Sequence, residues 1–246
     1  MARRCSWTCL LSIVVLRSVD ATAAGELSIP LFFSKELRLN TLVEVEAALS
    51  RPLDTAWRVR LASGQSRQIK SCRDFLDVAK GHFELEREID WSAWWQQGAH
   101  CFALDALRLA RPAVRTQLGW FRFSKEGIAK LPPRFALLES QDDLDDVTAA
   151  EMVCRQWGGF DPSLRIRVES LDRAELRSDG WTGRLLLYAR ADIDGDGIED
   201  LLVRRDGRVR GGTASESRVF VVTQTDPSRC PRVLRVMGTP NDLEGQ

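Results

Sequence analysis

The chain has 246 residues, of which 44% are hydrophobic and 28% are charged, and its formal net charge is zero. This composition is typical of a globular protein, and the length is sufficient to bury one or two hydrophobic cores. A balanced charge of this kind argues against nucleic acid as a partner.

The first 23 residues have the three parts of a secretory signal. Arg3 and Arg4 precede an apolar run at 9–16, and small residues follow at 21–24. A membrane anchor would need roughly 20 predominantly apolar residues, and Arg17 interrupts the run too early. We therefore expect cleavage near residue 23 and a periplasmic or secreted protein that is slightly acidic and has no membrane span.

Removal of this segment leaves an even number of cysteines: Cys72, Cys101, Cys154 and Cys230. Exported proteins mature in an oxidising compartment, so two disulfides are expected. Three pairings are open, and the pairing 72 with 101 and 154 with 230 is favoured because it keeps each bridge within one predicted domain. The absence of CxxC spacing, with only two histidines in the chain, disfavours a structural zinc site.

The first predicted domain, residues 24–150, mixes helix and strand. Helices are expected at 40–50, 71–80 and 91–110, and an alternating strand is expected at 57–61. The first two helices begin with a capping residue, and a proline or glycine follows each of the three. This mixture predicts an α+β arrangement.

Three tryptophans cluster in the third predicted helix. Trp91, Trp94 and Trp95 lie at helical spacing, which is typical of core packing. The alternative is a partner-binding patch, because aromatic residues concentrate at interface hot spots. The polar residues 96–98 that follow favour partial exposure of this turn.

Residues 140–158 are predicted to form a connecting helix. Ser140 is the capping residue, and the acidic run at 142–146 lies in the first turns, where negative charge is favourable against the helix dipole. The run could also be a second calcium site. It lacks the glycines that a tight ion-binding turn needs, so the helix interpretation is favoured.

The second predicted domain, residues 151–246, is β-rich. Short apolar or β-branched runs are bounded by turn residues such as 206–207 and 211–212. The predicted strands are 164–168, 184–190, 201–203, 219–222 and 233–237. The expected fold is α+β: the mixed N-terminal region packs on a small antiparallel sheet of four or five strands.

One loop of this domain concentrates negative charge. Its four aspartates are Asp192, Asp194, Asp196 and Asp200, with Gly195 and Gly197 between them. Calcium takes six to eight oxygen ligands, so a short peptide must supply many carboxylates. Because these carboxylates would repel one another without a cation, the sequence predicts a calcium site at the turn of a hairpin.

The loop is not an EF-hand. That motif needs an acidic ligand at its twelfth position, here Val203, and it needs flanking helices. The pattern D-x-D-x-D-G-x-x-D between two strands resembles the calcium-binding hairpins of FG-GAP and VCBS-type repeats. The resemblance implies a ligand set made of Asp192, Asp194, Asp196, the carbonyl of Ile198, and Asp200. The single copy excludes a full propeller, which needs several repeats, and leaves a lone blade-like sheet.

The sequence contains no catalytic signature such as G-x-S-x-G, H-E-x-x-H or a glycine-rich phosphate loop. His100 and Cys101 are adjacent, but neighbours on a helix point in different directions. The favoured function is that of a non-enzymatic, exported calcium-binding protein with a protein partner, such as a toxin inhibitor or immunity protein. The alternatives are a calcium-dependent secreted hydrolase and a cell-surface adhesion module.

Overall fold

The computed structural model describes residues 29–86, 91–138, 140–212 and 215–238. The predicted signal segment, residues 1–23, and its cleavage site lie outside the described residues. Among the helices that are described, none combines the length and the apolar character needed to cross a membrane.

The N-terminal half contains short strands and helices. These are β1 (Phe32–Phe33), α1 (Val45–Ser50), β2 (Pro52–Leu61), β3 (Ser66–Ser71), α2 (Cys72–Ala79), β4 (Phe83–Leu85) and α3 (Trp91–Leu107). Short 3-10 helices occupy Lys35–Leu37 and Leu42–Glu44. The fold is α+β, as predicted.

The structure contains the predicted helices of this half, but their first and last residues differ from the predicted ones. The first is a 3-10 turn followed by α1, and α3 ends at Leu107, three residues before the predicted end. The predicted strand at 57–61 is the end of β2, which already begins at Pro52. Pro52 therefore stops the helix, as expected, but also starts a strand, because proline is tolerated at the first residue of a strand.

The C-terminal half begins with helices and continues as sheet. Its elements are α4 (Lys125–Ala129), a 3-10 helix (Pro133–Phe135), α5 (Gln141–Met152), α6 (Trp157–Phe160), β5 (Arg165–Val168), β6 (Arg173–Arg177), β7 (Trp181–Ala191), β8 (Asp200–Val209), β9 (Ser215–Thr223) and β10 (Arg232–Met237). The connecting helix, expected to reach residue 158, ends at Met152. Residues 157–160, where β structure was expected to begin, form α6 instead.

The main sheet has seven strands in the described part of the chain. Six follow the antiparallel order β10-β9-β8-β7-β6-β5, and β1 pairs with the end of β7. The expected four or five strands were too few, because β1 and β6 were missed. The turn expected at 206–207 was wrong: Gly207 lies inside β8 opposite Gly183 of β7. A Cβ at Gly183 would collide with the backbone of Asp206, so a glycine is needed where the two strands approach closely.

Both faces of this sheet are covered. On one face, Leu186 and Tyr188 of β7 join the core formed with α1, α2 and α3. On the other face, Leu185 and Leu187 join a second core with Phe135 and other buried residues of 118–136 and 157–164. Five successive residues of β7, at 185–189, are buried because both faces of the sheet lie against protein. The predicted lone sheet is therefore the middle layer of the molecule.

Two disulfides cross-link the chain. Cys72–Cys101 joins α2 to α3 with a Cα–Cα distance of 4.9 Å, and Cys154–Cys230 joins the residues after α5 to the β9–β10 loop with a distance of 5.7 Å. This is the pairing favoured from the sequence. Both Cα–Cα distances lie within the usual range for a disulfide.

Candidate metal centre

The aspartate loop connects β7 to β8 and so lies at the end of the central hairpin of the main sheet. Ala191 pairs with Asp200, which closes the hairpin directly below the loop. The flanks are strands, as predicted. Gly195 and Gly197 have φ values of +87° and +81°, a backbone region that only glycine enters at little cost.

Three of the four aspartates converge. Carboxylate oxygens of Asp192, Asp194 and Asp200 lie within 4.8 Å of one another. Asp192 is 3% exposed and Asp200 is fully buried, whereas Asp194 is exposed to solvent. A group of carboxylates at this separation could hold a metal ion.

Backbone amides fix the carboxylates within the loop. Asp192 accepts hydrogen bonds from the amides of Gly195 at 2.7 Å and Gly197 at 3.0 Å. Asp200 Oδ2 accepts one from the amide of Ile193 at 3.0 Å. Because the two buried aspartates are tied to the backbone at both ends of the turn, the position of their oxygens is set by the fold itself.

The second oxygen of Asp200 has no such support. Asp200 Oδ1 is buried and has no hydrogen-bond partner among the described residues. The Thr223 hydroxyl lies close enough to favour the ionised carboxylate, but its geometry falls short of a hydrogen bond. Leaving a buried acceptor unpaired costs about 1–3 kcal/mol. A cation bound to this oxygen would remove that penalty.

Electrostatics also favour a cation at this position. Burial raises the pKa of Asp200 to about 7, and the charges of Asp194 and Asp196 act in the same direction. Burial is also the first cause that raises the pKa of Asp194, followed by the neighbouring aspartates. A nearby positive charge would counter both effects by favouring the ionised forms.

The remaining predicted ligands lie beside this group. Asp196 is exposed, and its Oδ1 accepts a hydrogen bond from the amide of Ile198 at 2.7 Å. Ile198 faces Arg115 in an isolated bridge that uses the Gly197 carbonyl and the Glu199 amide. That bridge leaves the Ile198 carbonyl unused. The roles of Asp196 and of this carbonyl as ligands stay predictions.

A segment from the first half of the chain supports the loop through backbone hydrogen bonds, and no sequence pattern predicts this contact. Arg111 exchanges two backbone hydrogen bonds with Asp192, at 2.8 and 2.9 Å. The amide of Val114 donates to the Gly197 carbonyl at 3.0 Å, and the amide of Glu199 donates to the Arg115 carbonyl at 2.9 Å. The loop is therefore held along its length by residues about 80 positions earlier in the sequence.

Glu199 lies within the loop but outside the carboxylate group. Its side chain is 3% exposed and receives two hydrogen bonds from Arg190, at 3.1 and 2.6 Å. The Thr116 hydroxyl donates a third at 2.7 Å. A carboxylate this fully paired is structural, and it anchors the loop to the 111–116 segment.

The predicted tryptophan cluster divides between core and surface. Trp94 is fully buried and contacts the rings of Trp57 and Phe75, so it belongs to the core and is closed to a partner. Trp91 and Trp95 stack with their centroids 6.0 Å apart and are only partly buried. A partner-binding role therefore remains open to Trp91 and Trp95 alone.

The His100–Cys101 pair lacks a free thiol. Cys101 is bonded to Cys72. Burial lowers the pKa of His100 to about 4, and the positive charges of Arg204 and Arg38 act in the same direction. His100 is accordingly neutral at pH 7, and the pair cannot form a thiolate–imidazolium nucleophile.

No protein-family model matches the chain, and neither a curated protein nor a solved structure matches it. The likeness of the loop to FG-GAP and VCBS-type hairpins consequently rests on its nine-residue pattern and stays a prediction.

Proposed function

We propose that the protein is an exported calcium-binding protein in which one calcium ion fixes the β7–β8 hairpin, and that it acts by binding a protein partner. The observation that carries the calcium site is the convergence of the Asp192, Asp194 and Asp200 carboxylates, to which Asp200 brings a buried oxygen without a hydrogen-bond partner among the described residues.

The donor set favours calcium over other biological metals. All three converging groups are carboxylates, and zinc prefers sites that include nitrogen or sulfur ligands. Magnesium demands a near-ideal octahedron and keeps most of its water. Calcium accepts irregular arrangements of six to eight oxygens, so carboxylates on a short loop, the Ile198 carbonyl and water suit it best.

The ion would have a structural role. Its ligands come from one hairpin, and β7 and β8 lie in the middle of the main sheet. An ion that binds the folded loop but not the unfolded chain adds its binding free energy to the stability of the protein. Residues Asp192 and Asp200 would hold it at the strand ends, and Asp194 would close the solvent side.

Two observations support export. The chain begins with the pattern of a secretory signal, and its remaining four cysteines form two disulfides. Such bonds persist in oxidising compartments and are rare in the cytosol.

Asp194 and Asp200, whose carboxyl pKa values burial raises, both lie in the aspartate loop. Their position supports a cation site, whereas an acid–base pair in a separate cleft would support the hydrolase hypothesis. Partner binding is therefore the function that we propose. Toxin inhibition is one function that partner binding would serve, and it stays a prediction.

Isothermal titration calorimetry tests the calcium site directly. The mature protein, stripped with EDTA, is expected to bind one calcium ion and to bind magnesium far more weakly. Asp200→Asn keeps the shape of the side chain and removes its charge, so calcium affinity should fall by about 100-fold or more. Loss of a group that only hydrogen-bonds to a metal ligand typically costs about 10- to 100-fold, and loss of a ligand itself should cost more. Asp146→Asn, on the exposed face of α5, is the matched control and should bind as the wild type does. Equal binding by the two variants would overturn the assignment.

A further inference from the structure

A second feature of the surface is a cavity of about 820 Å³. It is lined by the end of α5, the β9–β10 loop and the residues around Trp120 and Pro133, and none of its lining residues belongs to the aspartate loop. Cavities that bind ligands usually measure about 300–1,000 Å³. This one therefore has the size of a binding site.

The wall formed by Trp120 is held in place by hydrogen bonds. The indole Nε1 of Trp120 donates to the side-chain oxygen of Gln224 at 2.6 Å, and the Gln224 amide donates to the Arg229 carbonyl at 2.6 Å. Gln224 is 4% exposed. The Cys154–Cys230 disulfide joins two further walls. The cavity is thus organised before any ligand binds, which lowers the cost of binding.

The cavity is strongly basic. Four exposed cations line it: Lys130, Arg155, Arg229 and Arg232. Within the described ranges, none of the four forms an ion pair. The single carboxylate in the lining, Glu151, is already engaged by Arg134 through hydrogen bonds of 2.7 to 3.1 Å. In a chain of zero formal charge, this is a local excess of positive charge: the carboxylates of Glu126 and Asp226 lie near enough to Lys130 and Arg229 to interact with them, and Arg155 and Arg232 add two further charges.

Apolar groups accompany the cations. Pro132 and Pro133 line the cavity together with Trp120. Met152 and Val153 immediately precede Cys154 of the lining, and they are 78% and 72% exposed. Tryptophan, methionine and arginine are the residues most enriched at the centres of protein interfaces.

We propose that this cavity is the docking site for an acidic segment of a partner protein that carries apolar or aromatic side chains between its carboxylates. The proposal deepens the partner-binding half of the proposed function and rests on it. Three of the four cations are arginines, whose planar guanidinium groups match carboxylates. Trp120 and the prolines would receive the apolar side chains, and Met152 and Val153 would extend the contact beyond the rim.

The geometry favours a peptide over other anions. A small anion would engage one or two cations and leave the apolar wall exposed to water. A bilayer surface would meet the rim of a concave cavity but not the wall around Trp120. A polypeptide segment can place several carboxylates and an apolar side chain in the cavity together.

Fluorescence anisotropy tests the proposal with a short labelled peptide in which glutamates alternate with leucine and phenylalanine. A control peptide has glutamine at every glutamate position. The glutamate peptide should bind, and added salt should weaken it because exposed charge pairs are screened. The glutamine peptide should bind about tenfold more weakly or worse. Equal binding of the two peptides would overturn the proposal.

Matched variants locate the site. Arg155→Gln with Arg232→Gln should reduce binding of the glutamate peptide about tenfold or more. Arg58→Gln with Arg60→Gln removes the same charge from exposed positions of β2 and should leave binding unchanged. Equal losses in both pairs would mean that overall charge alone drives binding, and the site would be rejected. A melting curve for each variant confirms that it is folded.

Vesicles that contain anionic phosphatidylglycerol distinguish a membrane from a peptide. If vesicle binding depends on Arg155 and Arg232 and the glutamate peptide does not bind, the proposal is wrong and the cavity faces a lipid surface. The titrations are run with calcium and with EDTA. Calcium binding without peptide binding rejects only the docking site, and peptide binding without calcium binding rejects only the calcium site.

Discussion

The acidic run at 142–146 and the aspartate loop at 192–200 each contain four aspartates within a short stretch. The run lies in the first turns of α5, where Asp143 and Ser140 form a capping box and Asp142 and Asp146 are exposed. In the loop, by contrast, three carboxylates meet and two of them are buried.

The difference arises from backbone geometry rather than from the number of acids. Successive residues of a helix point about 100° apart, so neighbouring carboxylates spread over the surface. Strand ends and two left-handed glycines instead fold the loop back on itself, so that residues eight positions apart share one small volume. The comparison teaches that convergence and burial give carboxylates a geometry that could hold a metal ion, whereas acidic residues at a helix terminus stabilise the helix.

The largest expected effect separates the protein with calcium from the protein without it. At a calcium concentration 1,000 times the dissociation constant, a native-state ligand adds about 4 kcal/mol to the free energy of unfolding. For a chain of this size, that corresponds to a rise in Tm of about 8–16 °C. Calorimetry in calcium and in EDTA measures it, with the disulfides intact in both samples. An unchanged Tm would mean that the loop gains no stability from calcium, and the proposed difference between the two acidic stretches would be lost.

The next prediction compares single aspartates from the two stretches. Asp194→Ala removes the solvent-side carboxylate of the group and should weaken calcium binding by about 100-fold or more, because it would remove a direct ligand and even the loss of an indirect partner costs about 10- to 100-fold. Its exposure means that the variant should still fold. Asp142→Ala in α5 serves as its control and should have wild-type affinity in the same titration. A loss of affinity in both variants would indicate diffuse attraction by acidic charge.

Features that depend on neighbouring residues could be predicted from the sequence, whereas contacts between distant segments could not. The cap at Ser140 and the glycines of the loop are short patterns that dictate their own backbone geometry. The hydrogen bonds of Arg111 and Arg115 to the loop depend on contacts between distant segments. The prediction of a turn at 206–207 was wrong for a related reason. An Asp-Gly pair favours a turn when only its neighbours are considered, but pairing with Gly183 of β7 keeps Gly207 in a strand.

The pH dependence follows from Asp200. In the ion-free protein its pKa is about 7, raised from 3.8 by burial. The folded state therefore holds an extra proton between about pH 4 and 7, and the stability of the ion-free protein falls as the pH rises through that window. Protons compete with calcium for this carboxylate, so the apparent calcium affinity should fall about tenfold between pH 8 and pH 6. An affinity that is constant over this range would exclude Asp200 as a ligand.

The smallest expected effect concerns the helix. Ser140→Ala removes a cap whose side chain accepts from the amide of Asp143 at 3.1 Å. The loss should cost about 1 kcal/mol, or about 2–4 °C in Tm, with calcium present or absent. Its calcium affinity should match the wild type. A change in affinity would show that the helix and the loop are coupled.

Anomalous diffraction from a crystal grown with calcium tests the central claim most directly. We expect a single strong calcium peak among the carboxylates of Asp192, Asp194 and Asp200, at the distance of about 2.3–2.6 Å that calcium takes from oxygen. Density showing these side chains around water alone, in a crystal saturated with calcium, would contradict the account.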